Sequence, residues 1–261
     1  MFLSIKNKIQ KSKLNKIPYP YLAINNFLPK KYLNSLNEIL PSYNELQGDD
    51  LLYQSTSRTK KTIFPNSKQF KNLNKKKIFR NLNLLFKKLE STLVKKFEKE
   101  INTFTTINMK KTKLNYSFSY SVMKKGYLKS PHIDRRDHLI HCIFYPYSDH
   151  FKGGDILINE LKKNVKYFDI FPNKQDLKTN RKFKVKNNFC IFILNVPWAY
   201  HSVTKYMSKK DRKYFYIAYD FNIPKRRSNY KKSKKGFNAN LFWKNKVALL
   251  SKNRRKIFLS E

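Results

Sequence analysis

The chain has 261 residues, 40% of them hydrophobic, and a formal net charge of +40. Such a length and apolar content suffice for one large domain with a sizeable core and exclude wholesale disorder. The charge raises the question of nucleic acid, because lysine and arginine that neutralise phosphates release counterions, but lysine outnumbers arginine 47 to 10 amid abundant asparagine, isoleucine, phenylalanine and tyrosine, a composition that AT-rich codons impose.

Residues 1–16, "MFLSIKNKIQKSKLNK", form a basic N-terminal segment without the continuous apolar stretch of a signal peptide. No later window approaches the roughly 20 apolar residues of a membrane span. A soluble cytoplasmic protein is expected. "IPYPYLAINNFLPKKYLNSLNEIL", 17–40, predicts an extended Pro-rich approach, a short strand at Leu22–Ile24 and a helix after Pro29 with Leu33, Leu36 and Leu40 at helical spacing. Residues 41–70 read as polar and irregular. Ile78, Leu82, Leu85, Leu89, Leu93 and Phe97 recur every three or four residues, which predicts one amphipathic helix with a lysine-rich outer face.

After residue 113 the period shortens. "LNYSFSYSVM", "HLIHCIFYPY", "GDILIN", "VKYFDIFP", "NFCIFILN", "HSVTKY" and "KYFYIAYDFN" alternate with polar turns and predict an antiparallel sandwich or jelly roll. Helices first and strands after make the class α+β, with N-terminal helices buttressing the sheet. Cys142 and Cys190 lie inside these apolar runs without CxxC spacing, so neither a disulfide framework nor a thiolate zinc site is expected. The organisation predicted is one domain over 17–223, its jelly-roll core about 114–223, followed by a basic extension over 224–261.

Three of the five histidines and two aspartates crowd into "SPHIDRRDHLIHCIFYPY", 130–147. Side chains two apart on an extended segment share a face, so His132 and Asp134 of "PHID" can grip one ion. A third ligand is needed. His138 and His141 lie on the strand that leaves this segment, and His150 sits in the polar turn "SDHFKGG". His201 begins a late strand that a jelly roll can return beside His132. A His, Asp and distant His form the facial triad of non-haem Fe(II) sites.

These pieces resemble, in order, the Fe(II)- and 2-oxoglutarate-dependent dioxygenases, especially the branch related to prolyl 4-hydroxylases. "PHID" resembles the family's H-x-D, "FYPYSDHFKGGDILI" its strand, loop and Gly-Gly-acid strand, and "FCIFILNVPWAYHSV" its hydrophobic strand and distal histidine. "DRKYFYIAYDF" is similar to the strand whose basic residue holds the far carboxylate of 2-oxoglutarate, and "IPYPYLAINNFLP" to the approach segment of many microbial and viral members. The resemblance spans roughly 17–223 and is diffuse between 41 and 110.

It implies an oxidoreductase with Fe(II) on His132, Asp134 and His201, and with 2-oxoglutarate, O2 and, as a further candidate, ascorbate. Arg212 is the cation expected to clamp the cosubstrate, because it shares a strand face with Tyr214 and Tyr216 while Lys205, Lys209 and Lys210 fall in a polar turn. Tyr120 falls where relatives place a tyrosine near the cosubstrate; a core aromatic is the equal alternative. Gly153 and Gly154 suit a tight turn. The substrate implied is peptidyl, prolyl included, or a small molecule, with residues 41–70 and 160–182 as lid candidates. Two alternatives stand beside this: a nucleic-acid oxidative demethylase, whose usual second arginine six residues after the first is here Ala218, and a non-catalytic basic module that binds polyanions on the same fold.

Overall fold

The computed structural model describes residues 1–46, 59–104, 109, 112–135, 138–146, 152–162 and 172–221. Among the described residues five helices precede most of the strands: α1 (Phe2–Lys11), α2 (Lys30–Ile39), α3 (Lys68–Lys75), α4 (Lys77–Lys88) and α5 (Glu90–Phe104). Ten strands follow or intervene: β1 (Tyr21–Ile24), β2 (Lys60–Ile63), β3 (Leu114–Met123), β4 (Lys129–His132), β5 (His138–Tyr145), β6 (Ile156–Leu161), β7 (Leu177–Phe183), β8 (Phe189–Leu194), β9 (His201–Val203) and β10 (Arg212–Phe221). They pair as a six-stranded sheet, β1-β8-β5-β10-β3-β2, and a four-stranded sheet, β4-β9-β6-β7, with every pairing antiparallel. This is the double-stranded β-helix, or jelly roll, in an α+β chain that the strand pattern predicts.

Sequence explains which strand lies where. All eight residues of β5, "HLIHCIFY", are buried, which requires cover on both faces and so a run without polar alternation. Helices cover one face. Phe144 and Phe215 of the large sheet meet Phe79 and Phe86 of α4, with Phe79 and Phe215 ring centroids 5.8 Å apart and Phe86 and Phe144 5.9 Å apart. The small sheet covers the other face, where the His141 and His201 rings lie 5.0 Å apart across the two sheets. At the rim, β7 reads "LKTNRKF" and is exposed at its five central positions; charged side chains there discourage pairing with another strand.

Several elements differ from expectation for identifiable reasons. The single helix expected over 78–97 is two, joined at Leu89, whose N–H reaches the carbonyls of both Leu85 and Phe86. Both halves bury the same stripe, and neither Pro nor Gly marks the junction, so the periodicity runs through it. Residues 1–16 are more than a basic segment: Ile5 and Ile9 of α1 are buried, Lys96 of α5 donates to the Gln10 carbonyl at 2.7 Å and Lys16 pairs with Glu100 at 2.7 Å. Within 41–70, β2 extends the large sheet and α3 is capped by Ser67, whose hydroxyl accepts from the Phe70 N–H. "VKYFDIFP" falls almost wholly, and the extension over 224–261 entirely, outside the described residues. Among the described residues no helix is long and apolar enough to cross a membrane.

Candidate metal centre

β4 and β9 are adjacent and antiparallel, with His132 directly opposite His201. Each sits where its strand meets a loop, and their rings lie 4.4 Å apart. Asp134, two residues past His132, folds back between them. Its Oδ1 lies 3.3 Å from His132 Nε2 and its Oδ2 3.7 Å from His201 Nε2. One ligating atom from each of the three residues falls within 4.8 Å of the others. Both imidazoles are oriented by backbone: His132 Nδ1 donates to the Ser130 carbonyl at 2.8 Å and His201 Nδ1 to the Ala199 carbonyl at 3.0 Å. A neutral imidazole that donates from Nδ1 turns the lone pair of Nε2 towards Asp134, the tautomer that metal ligation uses.

The electrostatics match this donor set. Burial works against ionisation of Asp134, yet His141, His201 and His132 facing it hold its carboxyl well below the usual range. Burial, with His132 nearby, pushes His201 down to about 4, and burial pushes His141 down to about 3. Neutral imidazoles and an ionised carboxylate are what a divalent ion requires. Two nitrogens and one carboxylate on a single side of the ion suit Fe(II) with further positions open, so these residues fit the metal that the motif implies.

A second site lies along the same inner surface. Arg212, at the start of β10, is fully buried. Its Nη1 donates to the Gly154 carbonyl at 2.5 Å and its guanidinium carbon lies 4.6 Å from the centre of the Tyr145 ring and 5.7 Å from that of Tyr206. Burial lowers its pKa, but an arginine stays charged. Gly153 and Gly154 have φ of +72° and +71°, and a Cβ on Gly154 would meet Arg212 Nη1 at 2.0 Å. The Gly-Gly pair thus lets backbone close over a buried cation. Lys205, Lys209 and Lys210 are exposed, and Lys213 points to the opposite face, where it donates to the Leu40 carbonyl.

β10 connects the two sites. Tyr216 shares the Arg212 face, four residues on, and its hydroxyl donates to Asp134 Oδ2 at 2.7 Å. Asn195, in the loop after β8, donates from Nδ2 to the carbonyl of Arg135 at 2.7 Å and reaches those of His138 at 3.3 Å and Asp134 at 3.5 Å. It therefore pins the turn that carries Asp134.

Tyr120 requires a correction. It pairs with Phe215, and paired residues share a face, so it lies on the helix side of the sheet, away from Arg212 and Tyr216. Its hydroxyl donates to the Pro41 carbonyl at 2.6 Å; of the two readings, the core aromatic holds. The tyrosine of the large sheet beside Arg212 is Tyr145, and parity along β5, which puts His141, Ile143 and Tyr145 on one face, was the available signal. His138 turns away to Asp220, its Nδ1 2.5 Å from Oδ1. His141, on the strand that leaves the H-x-D segment, abuts Asp134. His150 lies outside the described residues. Asp155, which follows the Gly-Gly pair, is buried and pairs with Lys182 at 3.0 Å.

No family model matches the sequence, and no curated protein does. Solved structures do match. A prolyl-4-hydroxylase from Pseudomonas putida is 11% identical, with 84% of this chain and 98% of that one covered at a TM-score of 0.51. HygX from Streptomyces hygroscopicus, with nickel and 2-oxoglutarate bound, is 10% identical over 77% of this chain and 82% of its own, at 0.43. A 2OG-Fe(II) oxygenase-family oxidoreductase from Burkholderia pseudomallei is 10% identical over 84% and 90%, at 0.41. Identities this low speak to fold, and the first of the three carries the point: the chain has the double-stranded β-helix fold of a prolyl-4-hydroxylase.

Proposed function

We propose that the protein is an Fe(II)- and 2-oxoglutarate-dependent dioxygenase that hydroxylates a peptidyl side chain, prolyl included, or a small molecule, with release of succinate and carbon dioxide. The observation that carries this reading is the coexistence, on one buried surface, of a His132–Asp134–His201 donor set and a buried arginine linked to it through β10. A metal site alone would suit many reactions. A metal site facing a desolvated cation suits a ligand that chelates at one end and carries a carboxylate at the other.

In this reading His132, Asp134 and His201 hold the iron, which when bound supplies oxygen activation and the oxidation of the substrate C–H bond. Arg212 clamps the distal carboxylate of 2-oxoglutarate, and Tyr145 and Tyr206 flank the guanidinium and keep water from it. Tyr216 and Asn195 hold Asp134 in place. The fold likeness to the Pseudomonas putida prolyl-4-hydroxylase weights the substrate towards a prolyl residue.

An anaerobic titration of the purified protein with Fe(II) and 2-oxoglutarate tests the reading through the visible charge-transfer absorption of the chelate. A saturating band, absent from His132→Ala and Asp134→Ala, is expected; a folded protein that gives no band would be a non-catalytic binding module instead. Succinate release in the presence of proline-containing peptides then addresses the substrate.

A further inference from the structure

His141 is fully buried, yet neither ring nitrogen has a hydrogen-bond partner. An unmet buried polar group costs about 1–3 kcal/mol, so its retention needs a reason. The ring occupies the centre of the site. Nε2 lies 3.3 Å from Asp134 Oδ2, at an angle that makes no hydrogen bond, and that oxygen already accepts from Tyr216. The ring stacks on Tyr216 at 6.0 Å with planes 14° apart, which fixes its orientation. Its partner on β10 is Ala218, whose small side chain leaves room for the imidazole.

His141 is also outside the set of atoms that could share one ion, which comprises His132, Asp134 and His201. It sits at the metal end of the face on which Tyr145 and Arg212 occupy the other end. A dicarboxylate laid along that face has Arg212 at its far carboxylate and His141 at its near one.

We propose that His141 is a cosubstrate-binding residue whose ring N–H donates to the metal-side carboxylate of 2-oxoglutarate, an inference that rests on the function proposed above. A neutral donor suits that end, where the ion already offsets the carboxylate charge. A charged donor suits the far end, where no metal does so. The two carboxylates are thus recognised by different chemistry.

The test separates this residue from the centre as a whole. Mn(II) and 2-oxoglutarate are titrated in turn by calorimetry into wild type, His141→Phe and His141→Gln, with circular dichroism to establish that each is folded. We expect unchanged Mn(II) affinity in all three. For 2-oxoglutarate we expect a loss of tenfold or more in His141→Phe, which keeps a flat ring without a donor, and recovery of much of that loss in His141→Gln, whose amide restores one. The charge-transfer band of the Fe(II) chelate should shift in His141→Phe, because the chelated carboxylate loses its hydrogen bond. Wild-type 2-oxoglutarate affinity in His141→Phe overturns the proposal, and so does loss of Mn(II) binding, which would make His141 a ligand. A wild type that binds neither Mn(II) nor 2-oxoglutarate would instead overturn the metal-centre reading itself.

Discussion

Gly154 shows how a residue without a side chain can decide where a buried cation sits. A methyl group there would stand 2.0 Å from Arg212 Nη1, and φ of +71° would strain any L side chain. Gly154→Ala should therefore displace the guanidinium and weaken 2-oxoglutarate binding at least tenfold while Mn(II) affinity stays within twofold, both read by calorimetry; equal losses of the two would mean that the small sheet has been distorted. The histidines make a separate prediction. Burial holds His201 and His141 at about 4 and about 3, whereas an unfolded imidazole titrates near 6.5. Between about 6.5 and 4 the unfolded chain binds protons that the folded one refuses, so this contribution to stability is complete above that window and is lost as pH falls through it. Thermal melts of metal-free protein at about pH 7.5, 6 and 5 should show Tm falling at each step; a flat profile would contradict neutral buried imidazoles. The H-x-D pair and Arg212 were legible because spacing and strand parity mark them. Tyr120 was misplaced because seventeen tyrosines make any one position uninformative without its register.

Elements bring these residues together, and loops hold them there. Asp134 lies beyond the end of β4, so no ladder fixes it; the amide of Asn195 does so through three backbone carbonyls. Asn195→Ala should keep the fold and weaken Mn(II) binding roughly tenfold, since positioning partners of metal ligands typically matter at that level. Unchanged affinity would show that Tyr216 alone suffices. At the other end of the chain, Ile5 and Ile9 attach α1. Each Ile→Ala exchange should destabilise by about 2 kcal/mol or more if these sites pack as a core does, a loss that urea denaturation can measure. Fewer of these elements were legible than of the apolar strands. β7 and β2 are lysine-rich edges whose composition resembles a turn, and α1 has two buried residues in ten, too few to stand out from its charge.

In the whole molecule, the candidate centre spans both sheets. His132 and His201 come from the small sheet, whereas His141, Tyr145, Arg212 and Tyr216 come from the large one. Ligands that engage both should oppose separation of the sheets, and a ligand at 100 times its Kd stabilises the folded state by about 2.7 kcal/mol. Mn(II) should raise Tm, and 2-oxoglutarate should raise it further; in Arg212→Ala the first increment should persist and the second vanish. If 2-oxoglutarate raised Tm equally in that variant, it would be bound elsewhere. The sandwich as a class was readable from its short apolar runs, but the relation between the sheets was not, because no local pattern encodes which distant strand returns beside which.

In the function proposed above, the seclusion of Arg212 beneath Gly154 and Tyr145 also governs selectivity. A 2-oxo acid of the same length that ends in a methyl group meets the same walls and the same metal, but it leaves a cation facing hydrocarbon. Rejection of such a molecule is a matter of charge, not of fit. Because mobile ions cannot approach a buried guanidinium, this discrimination persists at salt concentrations that mask the many lysines on the surface.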